Sequence, residues 1–291
     1  MNAPPAIRAE AAGRMAELRR RHPAVFAVPP GRRVAVAALV AAPLLLIAFG
    51  LWWVGASPAR LWHGLGQLGT FVALMLPPDF GSVARLQLYL HALAETVAIA
   101  FLGTFTAAIL AFPLGFVAAR TVVGQRLVHF LARRFLDTIR GVDTLIWALI
   151  WINVVGLGPF AGVLAIMSSD IGSFGKLFSE AIEATERKAG EGVVASGGGE
   201  LHRIRFGILP QVLPVMLSQV LYYFESNTRS ATIIGIVGAG GIGLHLAEQI
   251  RTLEWPTVSF LVLIILAAVA AIDAVSTALR NRIVGGRVAP T

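Results

Sequence analysis

Long apolar runs separated by short arginine clusters set the pattern of this chain. Runs of about 20 residues or more, the length of a helix that crosses a bilayer core about 30 Å thick, cover 34–54, 91–119, 135–157, 160–178 and 256–279. A further run, 211–236, carries Glu225, Asn227 and Arg229 toward its end. Lipid satisfies no backbone amide, so only helices or closed barrels cross it. The pattern predicts an all-α polytopic bundle of about six transmembrane helices, with both termini on one side. The stretch 61–78 is also apolar, but Gly64, Gly66, Gly69 and Pro77 next to Pro78 interrupt it. It is expected to form an interfacial helix and turn on the outer face, with a re-entrant segment as the alternative.

Composition narrows the solvent to lipid. The 291 residues are 56% hydrophobic and 14% charged, with a mean hydropathy of +0.75; one soluble domain has no use for so much apolar surface. The net charge of +8 is not a nucleic-acid footprint, because the arginines flank the spans. Arg8, Arg14, Arg19, Arg20, Arg21, Arg32 and Arg33 precede the first span, Arg120, Arg126, Arg133 and Arg134 lie near the next inside loop, and Arg187, Lys188, Arg203 and Arg205 occupy a long one. Arg280, Arg282 and Arg287 follow the last span, whereas only Arg60, Arg85 and Arg251 fall on the other side. The excess of positive charge on the inside places both termini in the cytoplasm of a bacterial inner membrane. The expected organisation is a basic tail (1–33), a transmembrane domain (34–283) containing a loop at 180–210, and a short tail (284–291). The first span follows a tail too long for an ordinary signal peptide and is expected to stay as an anchor.

Little in the chain points to chemistry of its own. There is no cysteine, and the histidines are scattered without metal-ligand spacing. No phosphate-binding G-x-x-x-x-G-K-[ST] loop occurs, so ATP hydrolysis belongs to another polypeptide, and no catalytic triad or carboxylate pair supports an enzyme. Gly238, Gly240, Gly241 and Gly243 match G-x-G-x-x-G, but they follow a membrane helix and no acidic residue stands about 20 positions on. These glycines are expected to allow close helix contact and a helix break that suits a gate, with simple packing as the alternative. Asp137, Arg140 and Asp143 are spaced for a charge ladder on one helix face, where pairing near the membrane surface is favoured over substrate contact. Glu225 and Arg229 are four apart and able to neutralise each other; if Arg229 instead faces a cavity, it favours an anionic solute. Within the loop, Glu191 precedes a short helix through Gly192, Val193 and Val194, Gly197 allows a tight turn, and Leu209 and Pro210 open the next helix. Such a projected helix suits a groove on a partner, although its spacing alone fits a solvated loop equally well.

That loop resembles the EAA loop of binding-protein-dependent ABC importer permeases: Glu191 matches its opening acid, Gly197 lies six residues later, and Leu209 and Pro210 close it. The segments FSEAIE (178–183), RFGILPQVLP (205–214), RSATIIGIVGAGGIG (229–243) and MLPPDF (75–80), with Glu95, Thr96, Gly103 and Thr104, resemble the phosphonate ABC transporter permease. The resemblance covers roughly 57–282. It implies a type I importer fold, ABC ATPase subunits carrying ATP and Mg beneath the membrane, a periplasmic solute-binding protein, a second permease copy, and phosphonate-type oxyanions as cargo. No cofactor is implied on this chain. Phosphate, phosphite or another small solute is the alternative cargo, and an ion-coupled carrier the alternative machine. Gly192 and Val193 replace the two alanines of the pattern, and Gly207 replaces its usual isoleucine outside the docking turn, where it is expected to be tolerated. Glycine lowers helix stability by about 1 kcal/mol relative to alanine, so the coupling helix is expected to be weak until docked.

Overall fold

The computed structural model describes residues 30–285 together with 14, 15, 17, 20 and 21. Arg8, Arg19 and Arg287 of the predicted topology pattern lie outside the described residues. Ten helices are named here, and no strand occurs among the described residues: α1 (Pro30–Trp53), α2 (Pro58–Leu74), α3 (Val83–Ala118), α4 (Arg126–Arg140), α5 (Thr144–Val155), α6 (Pro159–Glu183), α7 (Arg187–Ala195), α8 (Glu200–Ile236), α9 (Ile242–Arg251) and α10 (Trp255–Gly285). Residues 1–70 and 71–291 are two compact units. In the first, α1 exposes every described side chain along its apolar length except the half-buried Gly50. The turn into α2 is fixed by Arg60, whose backbone N–H donates to Ser57 Oγ (3.2 Å) and whose Nη1 donates to the Gly55 carbonyl (3.1 Å). The expected helix within 61–78 thus forms as α2, one turn earlier than its apolar run.

The second unit is organised around α6. Helices α3, α4, α5 and α8 all pack on it, and residues from Ala161 to Ile182 are buried along its length. On α3 the buried positions Ala100, Gly103, Ala107, Ala111, Gly115 and Ala118 recur every three or four residues. They form a narrow stripe of small side chains that lets two backbones approach closely, which is how helices gain contact where lipid offers no hydrophobic drive. A Cβ at Gly103 would lie 2.7 Å from Ile166 Cβ, and one at Gly115 2.7 Å from Phe178 Cβ.

Two of the expected crossings change form. Residues 135–157 do not make one helix: α4 ends at Arg140, α5 starts at Thr144, and the pair is bent by 84°. The break is built by Asp143, whose carboxylate accepts from Leu145 N (2.8 Å) and caps a helix pointing in a new direction. Asp143 therefore shares no helix face with Asp137, and the charge ladder is not formed. Asp137 instead pairs with Arg134 (2.9 Å) and Lys176 (3.3 Å). Together with Arg133–Glu183 (2.9 Å), Leu136 against Gly175, and the Arg140 backbone against Gly172, this lays α4 antiparallel along α6. The run 160–178 becomes the 25-residue α6, which is long enough to cross but interrupted by Asp170 and Lys176. Enclosed by neighbours, it has little lipid to match. By length and apolar composition four described helices qualify as spans (α1, α3, α8 and α10), or five if the bent pair counts as one.

At one end of α8 the chain turns back sharply into α9. Gly238, Gly240 and Gly241 take positive φ (+106°, +82° and +72°), a region open to glycine at little cost. The turn is held by α3: Glu95 Oε1 accepts from Gly241 N (3.0 Å) and Thr96 Oγ1 from Ile242 N (2.8 Å), which caps α9. Gly243 then lies directly against the Thr232 carbonyl and Gly235. We expect Gly243→Ala to force the α8–α9 hairpin apart, at about 1 to 3 kcal/mol or more for an overpacked site. Thermal unfolding of the detergent-purified protein reads this as a lowered midpoint; an unchanged midpoint contradicts the packing described.

Candidate functional site

The loop between α6 and α8 is built as a projecting knuckle. Helix α7 starts without a side-chain cap and ends at Ser196. Gly197 (φ +91°) then reverses the chain, and Gly198 N donates back to the Val193 carbonyl (3.0 Å). Glu191, Gly192 and Val194 are exposed and Val193 is half-buried. The base of the knuckle is tied by Gln211: its Oε1 accepts from Glu186 N (3.0 Å), while its Nε2 donates to the carbonyls of Gly207 (2.6 Å) and Glu186 (3.3 Å). Arg203 joins it to the α3–α4 connection by donating to the Thr121 carbonyl (3.1 Å) and pairing with Glu200 (2.8 Å).

Helix α8 enters this base through a π-helical stretch, Arg203–Ile208, before the α-helical register resumes at Leu209. Leu209 and Pro210 open the α-helical part of α8 at that change of register. The widened turn matters because Pro210 has no N–H to donate. Gly207, the glycine that stands where the pattern has isoleucine, lies outside the turn at Gly197 and is buried against α7: a Cβ on it would lie 2.8 Å from Gly190 Cα. Isoleucine at that position would push α7 away from α8. A cavity of about 790 Å³ opens beneath the knuckle, between Arg120, Arg187, Glu191, Val194 and Arg203.

Midway along the bundle, α8 carries a second polar assembly. Asn227 is buried, and its Nδ2 donates to Thr104 Oγ1 on α3 (2.8 Å) and to Asp170 Oδ2 on α6 (2.5 Å). One amide thus stitches three helices. Two residues earlier, on the other side of α8, buried Glu225 accepts from Arg229 Nη1 through Oε1 (3.2 Å) and from Arg280 Nη2 through Oε2 (3.4 Å). The Glu225–Arg229 pair expected from spacing is present, and Arg229 leaves half of its side chain exposed. Arg280, read from the sequence as a tail signal, instead lies within α10 against the middle of α8. Two guanidiniums share one buried carboxylate. Asp273 is the next acid, 4.0 Å from Arg280.

The chain that carries this arrangement has relatives among known proteins. Residues 111–285 match the family described as binding-protein-dependent transport system inner membrane component. The chain belongs to this family of ABC importer permeases. A putative phosphite transport system permease, HtxC of Stutzerimonas stutzeri, is 38% identical over 221 residues, 76% of this chain and 77% of its own length. The phosphate-import permease PhnE of Mycolicibacterium smegmatis is 37% identical over 210 residues, 72% of this chain and 39% of its own. Among solved structures, the inward-facing MetNI methionine ABC transporter aligns with a TM-score of 0.60 at 17% identity, covering 70% of this chain and 99% of that one. An amino acid ABC transporter bound to histidines aligns at 0.58 with 16% identity, covering 71% and 100%. These two likenesses concern the fold.

For the permease, the sequence had placed the loop residues together and the structure keeps them so. It brings Asn227 and the Glu225–Arg229 pair onto one helix but gives them different partners, and only the fold reveals those. Thr104, Asp170, Gln211 and Arg280 were not singled out for these roles. Asp170 had a signal, an isolated acid in an apolar run; Gln211 and Arg280 had none. We expect Asn227→Asp, which sets a second carboxylate beside Asp170, to destabilise the purified permease by about 1 to 3 kcal/mol, the cost of an unsatisfied buried polar group. Adding Asp170→Asn restores an amide–carboxylate pair and should recover most of the loss of thermal midpoint; absence of recovery contradicts a direct bond.

Proposed function

We propose that this permease carries phosphonate-type oxyanions into the cytoplasm, driven by ATP hydrolysis on separate ABC ATPase subunits that dock on the α7 knuckle. The observation that carries the reading is the knuckle: a short helix with Glu191, Gly192 and Val194 outward, tied at its base to the continuous helix α8. A groove on the ATPase takes the exposed face, and displacement of α7 is passed to α8 through Gln211, Gly190 and Gly207. ATP and Mg are held by the ATPase. A periplasmic solute-binding protein delivers the cargo at the opposite end, and a second permease copy completes the path. Both termini are cytoplasmic and the membrane is the bacterial inner membrane, as the arginine distribution indicates.

Cargo chemistry is supported by the names of the relatives and by the arginines on the α8 core. Glu225, Asn227 and Arg229 are assigned to the substrate path, with Glu225 holding the Arg229 and Arg280 guanidiniums in place while one half-exposed guanidinium remains free to meet an anion. The glycine hairpin at Gly238, Gly240, Gly241 and Gly243 is assigned to the gate, because it meets both α3, through Glu95 and Thr96, and the α5–α6 connection, through the Gly158 N–H donated to the Gly238 carbonyl (3.0 Å), and so lies where three segments would have to part. Phosphite and phosphate are the alternative cargoes. Selectivity among them is expected to lie in the binding protein, and a ligand screen on that protein separates them.

Two outcomes test this reading. Gly192 has no atom within 4 Å of a Cβ position, so Gly192→Ala should preserve or strengthen ATPase co-purification, with about 1 kcal/mol of added helix stability; clear loss of the ATPase contradicts docking through a helical α7. Arg229→Gln should lower ATP-dependent uptake of methylphosphonate by about tenfold, for a charged contact worth 1 to 2 kcal/mol. Undiminished uptake by a normally folded variant removes Arg229 from the path.

A further inference from the structure

Helix α4 has a use that the importer reading leaves open. Its polar residues Arg126, His129, Arg133, Asp137 and Arg140 follow one another at three- and four-residue steps and form one stripe, while Leu127, Leu131 and Phe135 are exposed on another face. The middle of the stripe is neutralised by α6, through Arg133–Glu183 and Asp137–Lys176. Its lower end is not.

There the connection 119–125 folds beside the first turns of α4 and encloses a cavity of about 570 Å³, lined by Arg120, Val123, Gly124, Arg126, His129 and Phe130. Three of the six lining residues are basic or imidazole side chains, and none is a carboxylate. Glu183 is the neighbouring acid, and it is already engaged: Oε1 accepts from Arg120 N (2.7 Å) and Oε2 from Arg133 (2.9 Å). Neither the Arg120 nor the Arg126 guanidinium has an ion-pair partner among the described residues. The His129 ring lines the same cavity; its Nδ1 is covered by protein atoms and has no hydrogen-bond partner, which leaves the rest of the ring edge to face the space. The α4 N-terminus adds backbone N–H groups, since Gln125 provides no side-chain cap. Two cationic forks, an imidazole ring and the amides of a helix N-terminus around one space are the donor set of a tetrahedral oxyanion.

We propose that this basin binds a phosphoryl or phosphonyl oxyanion on the coupling-loop side of the permease, with Arg120, Arg126 and His129 as its ligands. The group is either a free oxyanion of the kind transported or the headgroup of an anionic phospholipid; the chemistry is shared. The inference rests on the importer reading only for calling the free form cargo. Because Arg120 also borders the larger cavity beneath α7, an occupied basin ties the α3–α4 connection to the base of the knuckle and adjusts how freely α7 moves.

The test uses the full chain, which has no cysteine. Gly124 has nothing within 4 Å of a Cβ position, so Gly124→Cys places a single reporter thiol at the mouth of the basin. Maleimide labelling is timed in phosphatidylcholine nanodiscs with chloride, inorganic phosphate or methylphosphonate at equal ionic strength, and in nanodiscs containing phosphatidylglycerol with chloride alone. We expect slowing of about fivefold or more by an oxyanion, which assigns the free ligand, or by phosphatidylglycerol alone, which assigns the headgroup. Arg126→Gln and His129→Gln should each abolish it in protein that elutes as a single species, and Arg126→Lys should keep part of it. Equal rates in every condition, or slowing that survives both Arg126→Gln and His129→Gln, overturn the site. Uptake is measured separately, so failure of import leaves this result standing, and equal labelling rates leave import standing.

Discussion

The seam between α3 and α6 is the constraint on which the rest of the permease depends. Lipid is as apolar as leucine and gives two helices no reason to associate, so contact must come from fit and from polar groups that have nowhere else to go. Here both are supplied at one place. Small residues on α3 admit Ile166 and Phe178 from α6, and Asp170, Asn227 and Thr104 close a hydrogen-bonded knot across the seam. With α6 fixed, α4 and α5 can break and bend around it, because each half is held by its own contacts.

From the knot, α8 reaches in both directions without interruption. One end runs through a π-helical stretch into the base of the α7 knuckle, and the other into the glycine hairpin capped by Glu95 and Thr96. The two regions assigned to coupling and to gating therefore flank the two ends of one 37-residue helix, anchored between them at Asn227. A rod anchored there passes a shift at one end to the other as a tilt, the kind of movement by which packed helices switch between two arrangements.

Charge is placed with the same economy. An ionised side chain at the bilayer centre costs about 2.5 to 3.5 kcal/mol by insertion scales, and most of those within this bundle meet an opposite charge: Asp137 meets Lys176, Glu183 meets Arg133, and Glu225 meets two arginines. Positive charge is in excess at two places among the described residues: Glu225 sets one carboxylate against the guanidiniums of Arg229 and Arg280, and Arg120 and Arg126 at the foot of α4 have no ion-pair partner.

The hydrophobic pattern alone determined that this protein is a helical membrane bundle, and the residues of the 180–210 loop and the 238–243 glycine run were legible because their signals are local: a helix needs its caps, and a reversal needs positive φ, within a few positions. Tertiary structure decided the rest. Whether 135–157 crosses as one helix or breaks at Asp143 depends on what α6 offers each half, and whether 160–178 must be apolar depends on how completely its neighbours shield it from lipid. Arg280 has the same surroundings in sequence as any arginine after a last span, yet it pairs with Glu225, 55 residues earlier in the chain. That position 207 has room for glycine alone is visible only once Gly190 is found against it. Local sequence encodes which conformations each segment prefers; which segments touch is set by the simultaneous fit of all the helices, and that is a property of no single stretch.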